Sequence, residues 1–264
     1  MTKFQKIIKY FAISLAVLLI VSIFYTLVNI ISSIFGISIK SENAEYIIRD
    51  IKNDVIELDV DIESAKITFK NDSSFKVEST NNVKINDNGK KLTIKERNFL
   101  FNDTNEEIII YLPISKQFNE VSIDAGCSDV FIENLITNKL DLDIGAGKVE
   151  SKSLNVSGNA SLDTGAGQIN VNGALINNLD LDMGIGEVII NGTLTGMTDI
   201  DAGVGKLDIN LNEFINNYSF QIQKGVGEIY INGKIIKDNY IYGVGGNTIN
   251  IDGGIGEINI NTLN

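Results

Sequence analysis

Six aspartates recur in one sequence context and are the side chains of this chain best suited to do chemistry. Each follows an apolar-x-apolar triplet, or Thr198-Asp-Ile200 in one copy, and precedes a Gly-x-Gly pair, or Gly-Cys-Ser in the first copy; they are Asp124, Asp143, Asp163, Asp182, Asp201 and Asp252. Carboxylates repeated along a stack of strands could bind Ca²⁺, which prefers six or more oxygen ligands. They could instead accept hydrogen bonds from the amides of the Gly-x-Gly bend and so cap a turn.

We favour turn capping over calcium for this row of aspartates. Gln223 stands in the place of the aspartate in one copy, which breaks the series in sequence order. The run Asp252-Gly-Gly-Ile-Gly256 is like a piece of a calcium-binding nonapeptide repeat, but it occurs once. We therefore predict no metal-binding residue, and the calcium alternative stays open.

The composition of the chain excludes several classes of enzyme. There is no His and a single Cys, so neither a Ser-His-Asp triad nor a Cys-His pair can form, and a zinc site is disfavoured. Paired carboxylates hydrolyse glycosides in some β-helical enzymes. Those sites add aromatic platforms and arginines, whereas this chain has no Trp and only Arg49 and Arg97. We predict that the protein is not an enzyme and has no catalytic residue.

Two glycine-rich segments resemble phosphate-binding loops but fail their sequence requirements. Gly145-Ala-Gly147-Lys148 and Gly203-Val-Gly205-Lys206 lack both the glycine five residues before the Gly-Lys pair and the Ser or Thr after the lysine. We predict no cofactor-binding residue. The formal net charge is −12, which argues against a nucleic-acid partner because phosphate binding needs clustered basic residues.

The N-terminus has the pattern of a membrane anchor. An apolar run from residue 10 to residue 37 exceeds the roughly 20 residues that span a bilayer, and it is longer than a signal-peptide core. Lys3, Lys6 and Lys9 precede it, so the positive-inside rule places residues 1–9 in the cytoplasm. We predict a transmembrane helix over 10–37, a polar stalk over 38–54 and an extracytoplasmic domain over 55–264. A cleaved signal peptide and a buried core helix are the alternatives.

The extracytoplasmic part has strand periodicity throughout. In residues 55–118, apolar and polar residues alternate, and Asn88-Gly89 between two such runs predicts a hairpin. In residues 119–264 a unit of the form apolar-x-apolar-Asp-x-Gly-x-Gly has seven copies, with Ser128 in place of the second glycine in the first copy and Gln223 in place of the aspartate in the sixth. The first glycines are Gly126, Gly145, Gly165, Gly184, Gly203, Gly225 and Gly254. A period of about 19–20 residues with strand character predicts an all-β, single-stranded β-solenoid, a β-helix-like stack of coils.

Three further expectations follow from the repeat. The residue between the two glycines is apolar in every copy, so we expect it to face the core and Cys127 to be an inert buried filler. Glu187, Lys206 and Glu228 alternate in sign after successive Gly-x-Gly pairs, so we expect them to pair between neighbouring coils. The last coil ends with the chain, so we expect an open edge there that pairs with a second copy or a partner.

One N-terminal span followed by a Gly-x-Gly solenoid resembles the bacterial "putative adhesin" domain family. That family includes the LiaG-like proteins of cell-envelope-stress operons and is similar to the toast-rack domains. The resemblance covers roughly residues 50–264 and rests on the repeat pattern. It implies a stacked β-sheet fold without an established enzymatic site.

These observations predict a non-enzymatic binding or scaffold protein of the bacterial cell envelope, accessory to stress sensing. Its partners would be the membrane, through the N-terminal helix, and an envelope protein or a second copy. The alternative is a surface adhesin or glycan-binding module, for which Tyr218, Tyr230, Tyr240 and Tyr242 are the candidate aromatic residues. A calcium-dependent module or a hydrolase is the third reading.

Overall fold

The computed structural model describes residues 46–96, 106–237 and 239–263. The predicted cytoplasmic tail, the transmembrane helix over 10–37 and residues 38–45 of the stalk lie outside the described residues. Within those ranges, no helix has the length and apolar character needed to cross a membrane.

The described chain is all-β apart from one 3-10 turn at Ile215–Asn217. The first strands are β1 (Tyr46–Asp50), β2 (Glu57–Ile62), β3 (Ala65–Asn71), β4 (Lys76–Thr80), β5 (Val83–Asp87), β6 (Lys91–Glu96), β7 (Glu106–Leu112) and β8 (Gln117–Ile132). The others are β9 (Leu135–Ser151), β10 (Leu154–Phe214), β11 (Tyr218–Gln223), β12 (Val226–Ile231), β13 (Lys234–Ile236), β14 (Tyr240–Tyr242), β15 (Asn247–Asp252) and β16 (Ile255–Leu263).

Parallel pairing stacks these strands into nine rungs in the described part of the chain. In stack order they are β6 with β7, β2 with β3, β8, β9, three successive turns of β10, β15 with β16, and β11 with β12. Each repeat rung has two strand arms that meet at the Gly-x-Gly bend. The predicted repeat stack is confirmed as a β-solenoid-like all-β fold.

Alternation of apolar and polar residues explains why each rung closes around a core. In β9, Leu140, Leu142 and Ile144 before the bend and Val149 after it are each about 1% exposed. The equivalent Leu, Ile and Val side chains of every rung stack on them and form one continuous core. Burial of these side chains is the main stabilising contribution, at roughly 1.5–3 kcal/mol for each fully buried one.

Antiparallel strands cover both ends of the stack. At one end, β5 pairs with β6 and β4 pairs with β7; β1 then pairs with β4, so residues 46–50 of the predicted stalk belong to the sheet. The β5–β6 hairpin at Asn88-Gly89 confirms the sequence prediction. At the other end, β13 pairs with β12 and β14 pairs with β11. These strands occupy the backbone groups that a terminal rung would otherwise expose.

The expectation of an open edge at the last coil is wrong. The C-terminal rung lies inside the stack, because β16 pairs with both β10 and β12 and β15 pairs with both β10 and β11. After β10 the chain skips one rung, builds β11 to β14 at the end of the stack and returns to fill the gap. The same exchange occurs at the other end, where β2 and β3 lie inside β6 and β7.

Candidate functional site

The aspartate row is continuous along the stack and longer than predicted. Parallel register aligns Asp124 with Asp143, Asp143 with Asp163, and Asp201 with Asp252. Asp182 lies between Asp163 and Asp201. We call this the aspartate ladder; with the additional Asp61 from β2, its members are Asp61, Asp124, Asp143, Asp163, Asp182, Asp201 and Asp252.

The two ends of the ladder explain its extent. At one end Asp61 is aligned with Lys95, whose Nζ lies 2.8 Å from Asp61 Oδ2. At the other end Asp252 is aligned with Gln223. Gln223 therefore ends the ladder and does not break it, so the sequence-order argument for capping is wrong.

The capping role predicted for these carboxylates is also wrong. Within the described residues, none of the ladder carboxylates accepts a hydrogen bond from a Gly-x-Gly amide; the bend amides instead bond to the neighbouring rung. Cys127 N donates to Glu63 O at 2.6 Å, and Val226 N donates to Gly254 O at 2.8 Å. Because rung-to-rung pairing uses these donors, the ladder carboxylates are left outside the bends, and Asp61 is paired with Lys95 at one end of the row.

Desolvation, and then crowding of like charges, raises the pKa of several ladder carboxyls. For Asp163 and Asp182, desolvation is the largest cause, followed by the charge of the neighbouring aspartate. The pKa of Asp124 is raised by desolvation and then by Asp143. In the described ranges no group of three or more acidic or Cys side chains is arranged to hold a metal ion. The ladder supplies one carboxylate per rung, so its oxygens do not converge on one point.

The residue between the two glycines faces solvent, contrary to prediction. Ile185, Val204, Ile255 and Val226 are 63%, 44%, 56% and 70% exposed, and Cys127 is exposed as well. In β9 the buried residues on either side of the bend are Ile144 and Val149, so the chain turns outward between them. The middle residues form what we call the corner ridge, which in stack order is Cys127, Ala146, Ala166, Ile185, Val204, Ile255 and Val226.

Close packing of successive bends explains the glycines. At Gly186, φ is +149°, and a Cβ atom would collide with the carbonyl oxygen of Gly167 on the neighbouring rung. Gly147 has φ +138° and its Cβ would collide with Ser128 O. A side chain at either position is excluded both by conformation and by space. The bends therefore stack tightly enough to hold the ridge and the ladder side by side.

The prediction that Glu187, Lys206 and Glu228 pair between neighbouring coils is wrong, because the rungs do not stack in sequence order. Glu257 lies between Lys206 and Glu228, because the C-terminal rung is inserted there. The ion pair of Lys206 is with Asp208 of its own strand, at 2.6 Å. Glu187 instead accepts a hydrogen bond from Gln168 Nε2 at 3.3 Å.

A ladder of asparagine amides was missed by the sequence analysis. Asn191 Nδ2 donates to Asn172 Oδ1 at 2.8 Å, Asn210 Nδ2 to Asn191 Oδ1 at 2.7 Å, and Asn261 Nδ2 to Asn210 Oδ1 at 2.8 Å. Each of these asparagines follows the second glycine of its repeat by five residues, a fixed offset that could have revealed them.

The four candidate tyrosines do not form one aromatic groove. Tyr218 is fully buried, and burial raises its pKa to about 12. Tyr240 and Tyr242 stack at 5.9 Å between ring centroids, and the ring of Tyr242 lies 6.5 Å from that of Phe220. Tyr230 lines an open groove on the outer face, whose other residues are Lys206, Asp208, Asn210, Gly233, Glu257, Asn259 and Asn261.

Comparisons with known proteins agree with this architecture. The profile of the Toastrack DUF4097 family matches residues 34–240. A crystal structure of a "putative adhesin" from Bacteroides fragilis is 16% identical, covers 83% of this chain and 98% of its own, and gives a TM-score of 0.55. At that identity the likeness shows the fold alone.

A "putative cell adhesion protein" from Clostridium sporogenes is 19% identical, with a TM-score of 0.33 and coverage of 84% of this chain and 100% of its own. A comparison with curated proteins found no match.

Proposed function

Because the chain belongs to the Toastrack DUF4097 family, we propose that it is a non-enzymatic binding or scaffold protein of the bacterial cell envelope. The observation that carries this proposal is the long outer surface on which the aspartate ladder and the corner ridge run side by side across six rungs, from Asp124 and Cys127 to Asp252 and Ile255. Side chains repeated at one spacing along a stack suit adhesion to an extended partner better than they suit a reaction at one point.

We further propose that residues 10–37 anchor the protein and that the β domain lies outside the membrane. The length of the apolar run and the three lysines before it support this orientation. An accessory role in envelope-stress sensing is part of the same proposal, and its support is the resemblance to the LiaG-like proteins of cell-envelope-stress operons.

The single cysteine provides a direct test of the orientation. Cys127 is exposed, so a membrane-impermeant maleimide should label the full-length protein in intact cells. The matched control is Cys127→Ala combined with Thr2→Cys, which should be labelled only after the cells are permeabilised. Labelling of Cys127 only after permeabilisation would overturn the orientation.

Crosslinking in cells tests the binding role itself. We expect an impermeant crosslinker applied to cells that express the full-length protein to recover other envelope proteins, which mass spectrometry identifies. Recovery of wall polymer or host-surface material alone would favour adhesion over a signalling scaffold. If the protein is recovered without any partner across growth and stress conditions, the binding proposal fails.

Glycan binding is the second candidate function, and the groove at Tyr230 favours it. An aromatic ring beside amide and carboxylate groups, here Asn259, Asn261 and Asp208, is a suitable surface for a sugar ring and its hydroxyls. We expect Tyr230→Ala to reduce binding to purified cell-wall glycan about tenfold or more. Tyr46→Ala, which alters an exposed tyrosine on β1, is the control. Equal binding by both variants would exclude this groove.

A further inference from the structure

The corner ridge is an exposed apolar strip in which residue size increases toward one end of the stack. The first three positions are Cys or Ala, and the next four are the β-branched Ile185, Val204, Ile255 and Val226. All four are at least 44% exposed. With rungs about 4.8 Å apart, they form a row roughly 14 Å long. Single exposed apolar residues are common, but an aligned row of four is typical of an interaction site.

Acidic residues flank this strip on both sides. Asp182, Asp201 and Asp252 of the aspartate ladder lie on the side before the bend. Glu187, Glu257 and Glu228 lie directly after the bend. Lys206, which is in the same row as the glutamates, is held by Asp208 at 2.6 Å.

This charge pattern indicates the chemistry of the partner. Two copies that met ridge to ridge would bring their carboxylate rows together, and each such pair repels by about 1 kcal/mol even in water. An anionic lipid surface would be repelled for the same reason. A partner with basic residues on both sides of an apolar strip would satisfy the apolar and the charged groups together.

The spacing of the strip selects the conformation of that partner. Side chains on one face of a strand recur every 6.6 Å or so, whereas successive turns of an α-helix recur every 5.4 Å or so. The repeat of the helix is closer than that of the strand to the rung spacing of about 4.8 Å. About ten residues of helix would span the four β-branched positions.

We propose that the β-branched part of the corner ridge, with its acidic borders, docks a basic amphipathic helix of a partner protein. This rests on the proposed binding function and names the surface and the chemistry of the partner. The apolar stripe of the helix would lie on Ile185, Val204, Ile255 and Val226. Its lysines or arginines would face the aspartates on one side and the glutamates on the other.

A designed peptide tests this docking on the full-length protein in nanodiscs of zwitterionic lipid. The probe is a fluorescent helix of about 16 residues with Leu at i, i+3, i+4 and i+7 and Lys on both sides, and the control is a scrambled peptide of identical composition. We expect the amphipathic peptide to bind, measured by fluorescence anisotropy against empty nanodiscs, and the scrambled one to bind at least about tenfold more weakly.

Variants of the ridge locate the binding. Ile185→Ser with Ile255→Ser should weaken binding about tenfold or more, and Asp182→Asn with Asp252→Asn should reduce its salt dependence. Ile114→Ser with Leu175→Ser alters two equally exposed apolar residues outside the ridge and should change nothing. Equal binding of both peptides, unchanged binding by the ridge variant, or a protein that is dimeric through the ridge would each overturn the proposal.

A photo-crosslinking residue at position 204 provides a readout that does not depend on the stability of a ridge variant. It should react with the amphipathic peptide, and the same residue at position 175 should not.

In-cell crosslinking distinguishes this proposal from the broader proposal of a binding function. If the Ile185→Ser, Ile255→Ser variant recovers the same partners as the wild type, the ridge is not the docking surface, while the binding function stands.

Discussion

Asp252 lies beside Asp201 in parallel register, although the two residues are far apart in the sequence. Two residues before them, Asn250 Nδ2 donates a hydrogen bond to Asp199 Oδ1 at 2.6 Å. The C-terminal rung therefore completes the aspartate ladder and the corner ridge from within the stack. The surface that we propose for binding depends on the last residues of the chain reaching an interior position.

The inserted C-terminal rung predicts which residues can be joined by a disulfide. In a Cys127→Ala background, Lys206→Cys with Glu257→Cys should form a disulfide, because these positions are adjacent in parallel register. Lys206→Cys with Glu228→Cys should not, because a rung lies between them and their Cα atoms are about 9.6 Å apart. Mass spectrometry after mild oxidation would distinguish the two, and the opposite result would restore the sequence order of the rungs.

Removal of one ladder charge should stabilise the protein at neutral pH. Asp163 is flanked by Asp143 and Asp182, and each neighbouring pair repels by about 1 kcal/mol in water. We expect Asp163→Asn to raise the melting temperature of the full-length protein by about 2–4 °C at pH 7. Asp54→Asn, which removes the same charge from a side chain that is 95% exposed, should leave it within about 1 °C.

The raised pKa values also predict a pH dependence of stability. The folded-state pKa values of Asp163 and Asp182 lie above the ordinary value of 3.8, so the folded chain binds more protons than the unfolded chain between those values. Ionisation of these carboxyls destabilises the folded protein, and this destabilisation is fully present above the folded-state pKa. It disappears as the pH falls through the folded-state pKa. We expect this contribution to raise the melting temperature as the pH falls from 7 toward 4.5. The rise should be smaller in Asp163→Asn; an equal rise in both proteins would contradict the assignment.

Replacement of a bend glycine should be strongly destabilising. Gly186→Ala forces a side chain into a positive φ and against Gly167 O, and we expect it to lower the free energy of unfolding by at least about 3 kcal/mol. Gly246→Ala is the matched control, since a Cβ atom there meets nothing within 4 Å. Urea unfolding measures both. A Gly186→Ala protein as stable as the wild type would show that the bends are more loosely stacked than described.

The asparagine ladder should contribute measurably to the stability of the stack. Asn191→Ala removes the bonds to Asn172 and Asn210 and leaves their half-buried amides with one partner fewer. We expect a loss of about 1–3 kcal/mol in urea unfolding. Asn216→Ala, at an exposed position of the 3-10 turn, should cost less than about 0.5 kcal/mol. Similar losses in both variants would indicate that the ladder adds nothing beyond the surface.

Local chemistry allowed the sequence to predict the repeat and the class of fold. Period-two alternation identified the strands, because a half-buried strand must place apolar residues on one face. The Asp-x-Gly-x-Gly unit identified the bends, and Asn88-Gly89 identified the β5–β6 hairpin. These features depend on neighbours in the sequence, so they could be predicted without knowledge of the stack.

Only the tertiary structure decided the order of the rungs, the direction of the corner residues and the partners of the carboxylates. Asp252 meets Asp201, and Glu257 separates Lys206 from Glu228, because covering the end of the stack with β13 and β14 leaves an inner position for the last repeat. Cys127 and Ile185 are exposed because each bend turns outward and its amides pair with the rung below. A repeat sequence specifies what each rung is made of, but any rung fits beside any other, so the topology depends on how the ends are closed.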